Sequence, residues 1–326
     1  MKTLTKENYK EYTDKYFLRT KKILEEECVN PIVRYQVFAR ENIKAITGID
    51  EAVEFIKDVA GEKVRIYSLK EGQECFAKAP IMKLEGRVQD FVDLETGYLG
   101  ILSGALTGDL DFNDVRKKAR EIFKEAKGKP VLYFGARHFA PAYDEKIAKI
   151  CQEEGFVGAS TDVGAKAWNA KGQGTTPHAL ILTYAAFLDE FGSKANPTVY
   201  AAKAFDRNIP EDVPRIILID TFNREIEDTI ATAKEIPNLT GVRIDTCGEN
   251  YTQGSREIVL PKLDVDEKYL RGKGVSVAGV WAMRKAFDKN NLENLSIVVS
   301  SGFNTDKTKA FVEADVLTPD ICHPLF

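Results

Sequence analysis

Residues 215–245 read RIILIDTFNREIEDTIATAKEIPNLTGVRID, and this stretch decides the fold. A short apolar run, Ile216–Ile219, ends in Asp220. A helical segment over Arg224–Glu235 follows, and Gly241–Asp245 then repeats the strand pattern. Short buried strands that alternate with helices are typical of parallel sheets, because two parallel strands need a crossover between them. The stretch therefore predicts an α/β protein.

The same alternation of strand and helix extends from about residue 115 towards the C-terminus. Further strands are predicted at Pro130–Gly135, Phe156–Gly158 and Leu295–Ser300, with another beginning at Ala314–Val316. Helices are predicted over Tyr143–Glu154, Asp162–Asn169, Val280–Phe287 and Lys307–Glu313, and one begins at Pro177. Repeated strand–helix units of this kind predict an irregular, TIM-like α/β barrel over residues 114–326.

The first third of the chain has a different pattern, in which strands follow one another more closely. Helices are predicted over Asn8–Glu27, Glu51–Ala60 and Asp90–Leu106, and strands over Ile32–Ala39, Val64–Leu69 and Ile81–Val88. This mixture predicts a smaller N-terminal α/β sandwich-like domain over residues 1–113.

Composition narrows the classes of function. The 326 residues carry a net charge of −4 with both signs interspersed, so we expect no nucleic-acid partner. No apolar run approaches the roughly 18 residues of a membrane span, and the polar start Met1–Lys10 predicts no secretion signal. The five cysteines are widely spread, which predicts neither a disulfide framework nor a zinc site. We therefore expect a reduced, cytoplasmic protein without a membrane partner.

Polar residues follow the predicted barrel strands, at the end of a barrel where active sites lie. Asp220 and Asp245 are candidates to hold ribose hydroxyls or Mg²⁺, or alternatively to cap helices. Arg137 and Arg243 are candidates to clamp a carboxylate or phosphate, or to pair with those aspartates. Hydroxyl residues, glycine, a carboxylate or an arginine follow each of five successive predicted strands. Helix capping explains one such strand end but not five together, so the pattern favours a binding rim.

Two segments of this rim suit anions. Ser300-Ser301-Gly302 offers hydroxyls and backbone N–H groups before a helix, and the turn 174–176 offers a second such cradle. His178, one of three histidines, follows that second turn at a predicted helix start. It is interpreted either as a ligand-contacting residue or as a structural histidine at a helix start.

The motifs together resemble one enzyme family. They are Asp14–Thr20, Gly135–Pro141, Gly174–Leu180, Asp220–Asn223, Gly241–Thr246 and Val299–Phe303, and they occur in family order. The chain resembles type II phosphoribosyltransferases, and most closely the nicotinate phosphoribosyltransferases of the archaeal and anaerobe type. That resemblance implies synthesis of nicotinate mononucleotide and pyrophosphate from nicotinate and phosphoribosyl pyrophosphate, in NAD biosynthesis.

The resemblance also implies cofactors and roles. ATP would be a co-substrate that phosphorylates His178, and Mg²⁺ would bind mainly through substrate phosphates rather than in a protein cage. His178, Asp220 and Asp245 would be catalytic, and Ser300, Ser301 and Gly302 would bind the 5′-phosphate. The remaining substrate-binding residues would be Tyr16, Arg19, Thr20, Arg137, His138, Thr175, Thr176, Arg243 and Thr246. Tyr16 would stack on the pyridine ring in a partner subunit's site, within a homodimer or larger homo-oligomer.

Two alternatives stay open. The chain could be another type II phosphoribosyltransferase, acting on quinolinate or nicotinamide, although quinolinate chemistry does not need an ATP-linked histidine such as His178. It could also be a weakly active nucleotide-binding homologue. The observation behind this second alternative is that the family continues to a glycine-rich phosphate loop, whereas residues 317–326 contain no glycine and Cys322-His323 cannot form a zinc module.

Overall fold

The structure is a computed structural model that describes residues 4–316. These residues pack into two units. The first unit comprises residues 4–116 and 132–174, and the second comprises residues 117–131 and 175–316. The sequence pattern instead assigned 132–174 to the second domain, and the predicted domain ranges stay a prediction. Within the first unit, residues 132–174 contact the N-terminal residues through pairs such as Lys15–Asp162, at 2.6 Å.

The first unit contains an antiparallel sheet in the order β1–β3–β2 and a parallel pair, β4–β5. Its strands are β1 (Ile32–Phe38), β2 (Val64–Ser68), β3 (Pro80–Arg87), β4 (Leu132–Tyr133) and β5 (Gly158–Ala159). Its helices are α1 (Tyr9–Tyr12), α2 (Lys15–Glu26), α3 (Ile49–Ala60), α4 (Glu95–Thr107), α6 (Asp144–Glu153) and α7 (Asp162–Ala165). A further helix, α5 (Phe112–Glu125), spans the division between the two units.

The antiparallel sheet and helices α3 and α4 share one apolar core. Met82 and Leu84 are two residues apart in β3 and therefore point to the same face. They belong to the same buried cluster as Ile56 of α3 and Tyr98 of α4. Helix α3 starts where Gly48 has a φ of 85°, a conformation that glycine adopts without strain. This packing matches the sandwich-like layers predicted from the sequence.

The second unit is built on a parallel sheet in the order β6–β7–β8. Its strands are β6 (Ile216–Leu218), β7 (Gly241–Ile244) and β8 (Ser296–Val299). Its helices are α8 (His178–Glu190), α9 (Pro197–Asn208), α10 (Glu225–Glu235), α11 (Glu267–Leu270), α12 (Val277–Asp288) and α13 (Thr305–Val316). Ile217, Val242 and Ile297 stand side by side across the three strands, and none is exposed. This sheet and the β4–β5 pair confirm the predicted parallel α/β pattern.

Most predicted elements are present, with three kinds of correction. The predicted helix Asn8–Glu27 is interrupted between α1 and α2, and the strand predicted at Phe156–Gly158 lies two residues later. Helices α5, α9 and α11 were not predicted, although Asn196 and Pro197 form a typical cap and first turn for α9. The strand predicted to begin at Ala314–Val316 is wrong, because these residues form the last turn of α13.

The sequence also led to expectations about membrane-spanning helices, cysteines and the C-terminal segment. In the described residues no helix combines the length and the apolar character that crossing a bilayer requires. The cysteines within residues 4–316 are free thiols, namely Cys28, Cys75, Cys151 and Cys247. The expectation about the glycine-free segment 317–326, with Cys322 and His323, lies outside the described residues.

Candidate active site

The three parallel strands of the second unit bring the predicted rim residues into line. Leu218, Arg243 and Val298 are neighbours across the sheet. Asp220, Asp245 and Ser300 each come two residues later, just beyond the ends of β6, β7 and β8. Equal offsets along parallel strands place these three residues at the same carboxyl edge. One edge of the sheet therefore carries two carboxylates and a hydroxyl, as the sequence predicted.

Asp245 is held by its neighbours on this edge. The Ser300 hydroxyl donates a hydrogen bond to Oδ1 of Asp245 at 2.7 Å. Oδ2 of Asp245 lies 3.5 Å from Nη1 of Arg243, a buried guanidinium. Arg243 thus pairs with an aspartate, which was one of its two predicted alternatives. Asp245 caps no described helix, since the next helix along the chain starts after Asp266.

His178 begins α8 and lies against Asp220. Its Nε2 is 3.3 Å from Oδ1 of Asp220, whose side chain is only 2% exposed. The His178 side chain itself is 40% exposed, so it is not a core histidine. The helix begins one residue later than predicted, with Pro177 as its N-cap. His178 thus lies at the Asp220 end of the predicted rim, whereas Arg137 belongs to the first unit.

Two buried oxygens at this edge have no hydrogen-bond partner in the part of the chain that the structure describes. They are Oγ1 of Thr221 and Oδ1 of the preceding residue, Asp220, which has Nε2 of His178 at 3.3 Å as a neighbour but accepts no hydrogen bond. Leaving a buried polar group unsatisfied costs roughly 1–3 kcal/mol, so such groups are usually completed by a ligand, an ion or water. A carboxylate and a hydroxyl together are oxygen ligands of the kind that Mg²⁺ accepts. Asp220 also caps no helix, since the N-cap of α10 is Arg224.

The turn before His178 uses its hydroxyl groups internally. Thr176 is buried, and its Oγ1 accepts a hydrogen bond from the backbone N–H of Leu218 at 2.8 Å. The Thr175 hydroxyl donates to the carbonyl of Thr176 at 3.0 Å. These bonds fasten the turn to β6. The substrate-binding roles of the two threonines stay predictions.

Glu225, at the start of α10, is a buried carboxyl that the sequence analysis missed. It is fully buried, and Thr246, a predicted site residue, donates its hydroxyl to Oε1 at 3.5 Å. The backbone N–H of Gln253 donates to Oε2 at 3.2 Å. Burial is the main cause that raises the pKa of Glu225 to about 7, and the charge of Asp220 contributes. The carboxyl thus connects the loop after β7 with the one after β6.

Replacing Glu225 by glutamine is expected to change how stability depends on pH. The pKa of Glu225 rises from 4.5 in an unperturbed chain to about 7 in the fold. Between these values the unfolded chain releases its proton first, so the native protein loses stability as pH rises through this window. In the wild type this lowers the free energy of unfolding by up to roughly 3 kcal/mol, and we expect the decrease to be absent in Glu225→Gln. Urea unfolding at pH 5 and pH 7 measures it.

The matched control for this prediction is Glu235→Gln. Glu235 ends the same helix, and its side chain is 47% exposed. Its removal is expected to leave the wild-type pH dependence in place. Equal pH dependence in wild type and Glu225→Gln would contradict the burial argument.

Ser301 and Gly302 form the turn after β8, with φ values of 76° and 67°. A buried lysine on the following helix, Lys307, donates from Nζ to the Ser301 carbonyl at 2.9 Å. Sequence reasoning had overlooked Lys307 because lysines on helices are usually solvent-exposed. The predicted phosphate cradle therefore has a cation beside it.

In the first unit, Arg137 lies between two carboxylates. Its Nε is 3.3 Å from Oδ2 of Asp14, and its Nη1 donates to Oε1 of Glu95 at 2.9 Å. The buried Asp14 also accepts hydrogen bonds from the hydroxyls of Tyr16, at 2.9 Å, and Thr96, at 3.1 Å. Arg137 was predicted to pair with Asp220 or Asp245 or to bind an anion. In the structure its carboxylate partners are Asp14 and Glu95.

Tyr16, Arg19 and Thr20, the other predicted site residues of α2, make their contacts within the first unit. Tyr16 is 3% exposed, and its ring packs against Phe17 at 4.6 Å between centroids. The Thr20 hydroxyl donates to the carbonyl of Tyr16 at 2.8 Å, one turn back in α2. Arg19 donates from Nη1 to the Gly174 carbonyl at 2.7 Å.

His138 follows Arg137 directly in the chain. Burial lowers the pKa of His138, and the adjacent charge of Arg137 lowers it further. A lowered pKa favours the neutral imidazole near pH 7. His138 is therefore suited to donate or accept a hydrogen bond rather than to supply a charge.

Comparisons with known proteins identify the class. The family profile described as the N-terminal domain of quinolinate phosphoribosyl transferase matches residues 14–105. Nicotinate phosphoribosyltransferase 1 of Arabidopsis thaliana is 28% identical over 178 residues, which are 52% of this chain and 30% of the relative. A nicotinate phosphoribosyltransferase of Mycobacterium tuberculosis is 25% identical over 285 residues, 85% of this chain and 51% of the relative. The chain thus spans about half or less of these relatives' length.

A solved structure gives the same result for the fold. The nicotinate phosphoribosyltransferase of Porphyromonas gingivalis superimposes with a TM-score of 0.65 at 13% identity, over 97% of this chain and 82% of that one. The predicted fold class is confirmed, because the chain shares the mixed α/β fold of type II phosphoribosyltransferases. Within that class, the relatives that match by sequence are nicotinate phosphoribosyltransferases, which supports the resemblance seen in the motifs.

Proposed function

We propose that the protein is a nicotinate phosphoribosyltransferase. It joins nicotinate to phosphoribosyl pyrophosphate and releases nicotinate mononucleotide and pyrophosphate, a step of NAD biosynthesis. The observation that carries the proposal is the carboxyl edge of the β6–β7–β8 sheet, where Asp220, Asp245 and Ser300 follow paired strands at equal offsets and His178 lies 3.3 Å from Asp220. Oxygen donors of this kind suit a phosphorylated ribose.

The chemistry at this edge is a substitution at the anomeric carbon of the ribose. The pyridine nitrogen forms a bond to C1′ while the bond from C1′ to pyrophosphate breaks, and the pair of electrons leaves with pyrophosphate. Positive charge develops on the ribose ring because the bond to pyrophosphate is largely broken before the bond to the pyridine nitrogen is fully formed. Carboxylates held in place near that charge stabilise it without reorganising. Asp220 and Asp245 are the proposed carboxylates, and Arg243 and Ser300 keep Asp245 oriented.

Mg²⁺ is the proposed metal. The described residues contain no group of three or more His, Cys, Asp or Glu side chains arranged to hold a metal ion. Oγ1 of Thr221 is a buried oxygen with no hydrogen-bond partner among the described residues, and together with the adjacent carboxylate of Asp220 it fits a cation that binds mainly through substrate phosphates. When bound, Mg²⁺ would neutralise charge on the leaving pyrophosphate.

We also propose that ATP phosphorylates His178 and thereby drives the reaction. His178 is partly exposed, which a group that meets a nucleotide requires. With its proton on Nε2, which lies beside Asp220, the imidazole keeps a lone pair on Nδ1. Nδ1 would attack the γ-phosphorus of ATP while the bond to the bridging oxygen breaks, and ADP would leave with that electron pair. Water would later cleave the N–P bond and release inorganic phosphate. The Asp220 carboxylate would also stabilise the positive charge that develops on the ring.

Quinolinate is the second candidate substrate, because the family profile that matches residues 14–105 is that of quinolinate phosphoribosyl transferase. Quinolinate carries two carboxylates where nicotinate carries one. Arg137 is accompanied by Asp14 and Glu95, so the positive charge around it is largely balanced. This balance supports the substrate with fewer negative charges.

The proposal is tested by incubating the protein with phosphoribosyl pyrophosphate and Mg²⁺, with either nicotinate, quinolinate or nicotinamide, and with or without ATP. Chromatography then measures the mononucleotide that forms. We expect nicotinate mononucleotide, formed faster with ATP. If only quinolinate or only nicotinamide gives a mononucleotide, the proposed substrate is wrong. If none of the three gives a product, the result favours a weakly active homologue.

We propose further that the protein acts as a homodimer or a larger homo-oligomer, in which residues of the first unit, Tyr16 and Arg19 among them, serve the partner subunit's site. Shared sites usually occur in assemblies with closed symmetry. The free thiols Cys28, Cys75, Cys151 and Cys247 support a reducing compartment, and the cytoplasm is the proposed location.

A further inference from the structure

Lys307 is a buried cation at the edge of the candidate site. It lies in the first turn of α13, and only 8% of its surface is exposed. Its Nζ donates to the carbonyl of Ser301 at 2.9 Å and lies 4.5 Å from the centre of the Phe303 ring. Phe303 in turn packs edge-on against Phe311 of the same helix. These contacts hold the ammonium group in one place beside the turn Ser300–Gly302.

Within the described part of the chain, the charge on Lys307 is only partly compensated. Its hydrogen-bond acceptor is a neutral carbonyl, and an ammonium has three donors, of which this carbonyl takes one. Burial lowers the pKa of Lys307 to about 8, although the charge of Asp245 opposes the shift. Asp245 is itself engaged by Ser300 and Arg243. Burying a cation with so little compensation is costly, and an arriving anion would remove that cost.

The turn beside Lys307 has space for such an anion. Ser301 has a φ of 76°, which is uncommon for a residue with a side chain, and Gly302 has a φ of 67°. A Cβ atom placed on Gly302 would meet no atom of residues 4–316 within 4 Å. The turn therefore faces open space, with a fixed cation on its helix side. A phosphate has three terminal oxygens, which suit several donors in a small volume.

We propose that Lys307 is the cationic binding residue for the phosphomonoester group of the substrate at the turn Ser300–Gly302. This inference rests on the proposed function, because it assumes that the substrate is phosphoribosyl pyrophosphate, whose ribose carries a 5-phosphate. Lys307 supplies the positive charge that hydroxyls and backbone N–H groups of the turn lack. It acts in binding, at a group remote from the bonds that form and break.

The test measures binding of ribose 5-phosphate by titration calorimetry to wild-type protein and to Lys307→Met, which keeps the length of the side chain and removes its charge. We expect the dissociation constant to rise about 10- to 100-fold, as for the loss of a hydrogen bond to a charged group. The control is Lys309→Met, because Lys309 lies on the same helix and its side chain is 56% exposed. We expect that control to bind within about twofold of wild type.

Turnover separates this proposal from the proposed function. If no mononucleotide forms but ribose 5-phosphate binds and Lys307→Met loses affinity, the function is wrong and the role of Lys307 stands. If nicotinate is converted and Lys307→Met keeps the wild-type KM for phosphoribosyl pyrophosphate and the wild-type dissociation constant, the role of Lys307 is overturned. Failure of wild-type protein to bind ribose 5-phosphate also overturns it. Should Lys307→Met fail to fold, Lys307→Gln takes its place, with Tm confirming the fold.

Discussion

His178→Ala is expected to abolish the stimulation of nicotinate mononucleotide synthesis by ATP. The variant lacks the ring nitrogen that accepts the phosphoryl group, so rates with and without ATP should become equal. Because the His178 side chain is 40% exposed, we expect stability to change by about 1 kcal/mol or less. Initial rates at saturating phosphoribosyl pyrophosphate, with and without ATP, measure the stimulation. Incubation with γ-labelled ATP should label wild type and leave the variant unlabelled.

Leu182→Ala is the matched control, since Leu182 lies one turn further along α8 and is 51% exposed. It is expected to keep both the label and the ATP stimulation. If His178→Ala unfolds at lower temperature and yet retains the full ATP effect, the histidine is structural and the phosphohistidine proposal fails.

Mixing two variants that each lack the ATP-stimulated rate is expected to restore that rate if sites are shared between subunits. The variants are Arg19→Ala, in the first unit, and His178→Ala, in the second. In a random dimer mixture half of the dimers combine both variants, and each of these has one intact site, so activity should recover to about a quarter of wild type. Refolding or subunit exchange at equal concentrations, followed by the nicotinate assay, measures the recovery.

Arg19 is preferred to Tyr16 for this experiment because Tyr16 is buried against Phe17, so that its truncation would leave a cavity in the fold. The control mixes His178→Ala with Asp220→Ala. These two residues lie 3.3 Å apart in one unit, so no arrangement of subunits yields an intact site. Recovery in that control, or its absence in the test mixture, would contradict shared sites.

Much of the fold could be predicted because its signals are local. Alternating short apolar runs and helical segments predicted the β6–α10–β7 stretch to within a residue or two at each boundary. The weakest prediction was the strand at Ala314–Val316, which is the end of α13. Three residues carry too little periodicity to distinguish a strand from a helix.

The carboxyl edge of the site could be predicted for a related reason. In a parallel sheet, polar residues that follow aligned strands at equal offsets meet at one edge. Asp220, Asp245 and Ser300 satisfy that condition, and their alignment follows from the sequence once the strands are known.

The amino-acid sequence alone determined the α/β class, the carboxyl edge with its aspartates, the helix start at His178 and the family resemblance, because each is written in neighbouring residues. Only the tertiary structure decided which charged groups are buried. Glu225 and Lys307 occur in helices, where such residues usually face solvent, and packing from distant segments encloses them. Packing likewise placed Arg137 between Asp14 and Glu95, and it brought the Thr176 hydroxyl to the backbone N–H of Leu218. Burial and pairing depend on contacts between residues far apart in the chain, which no local pattern records.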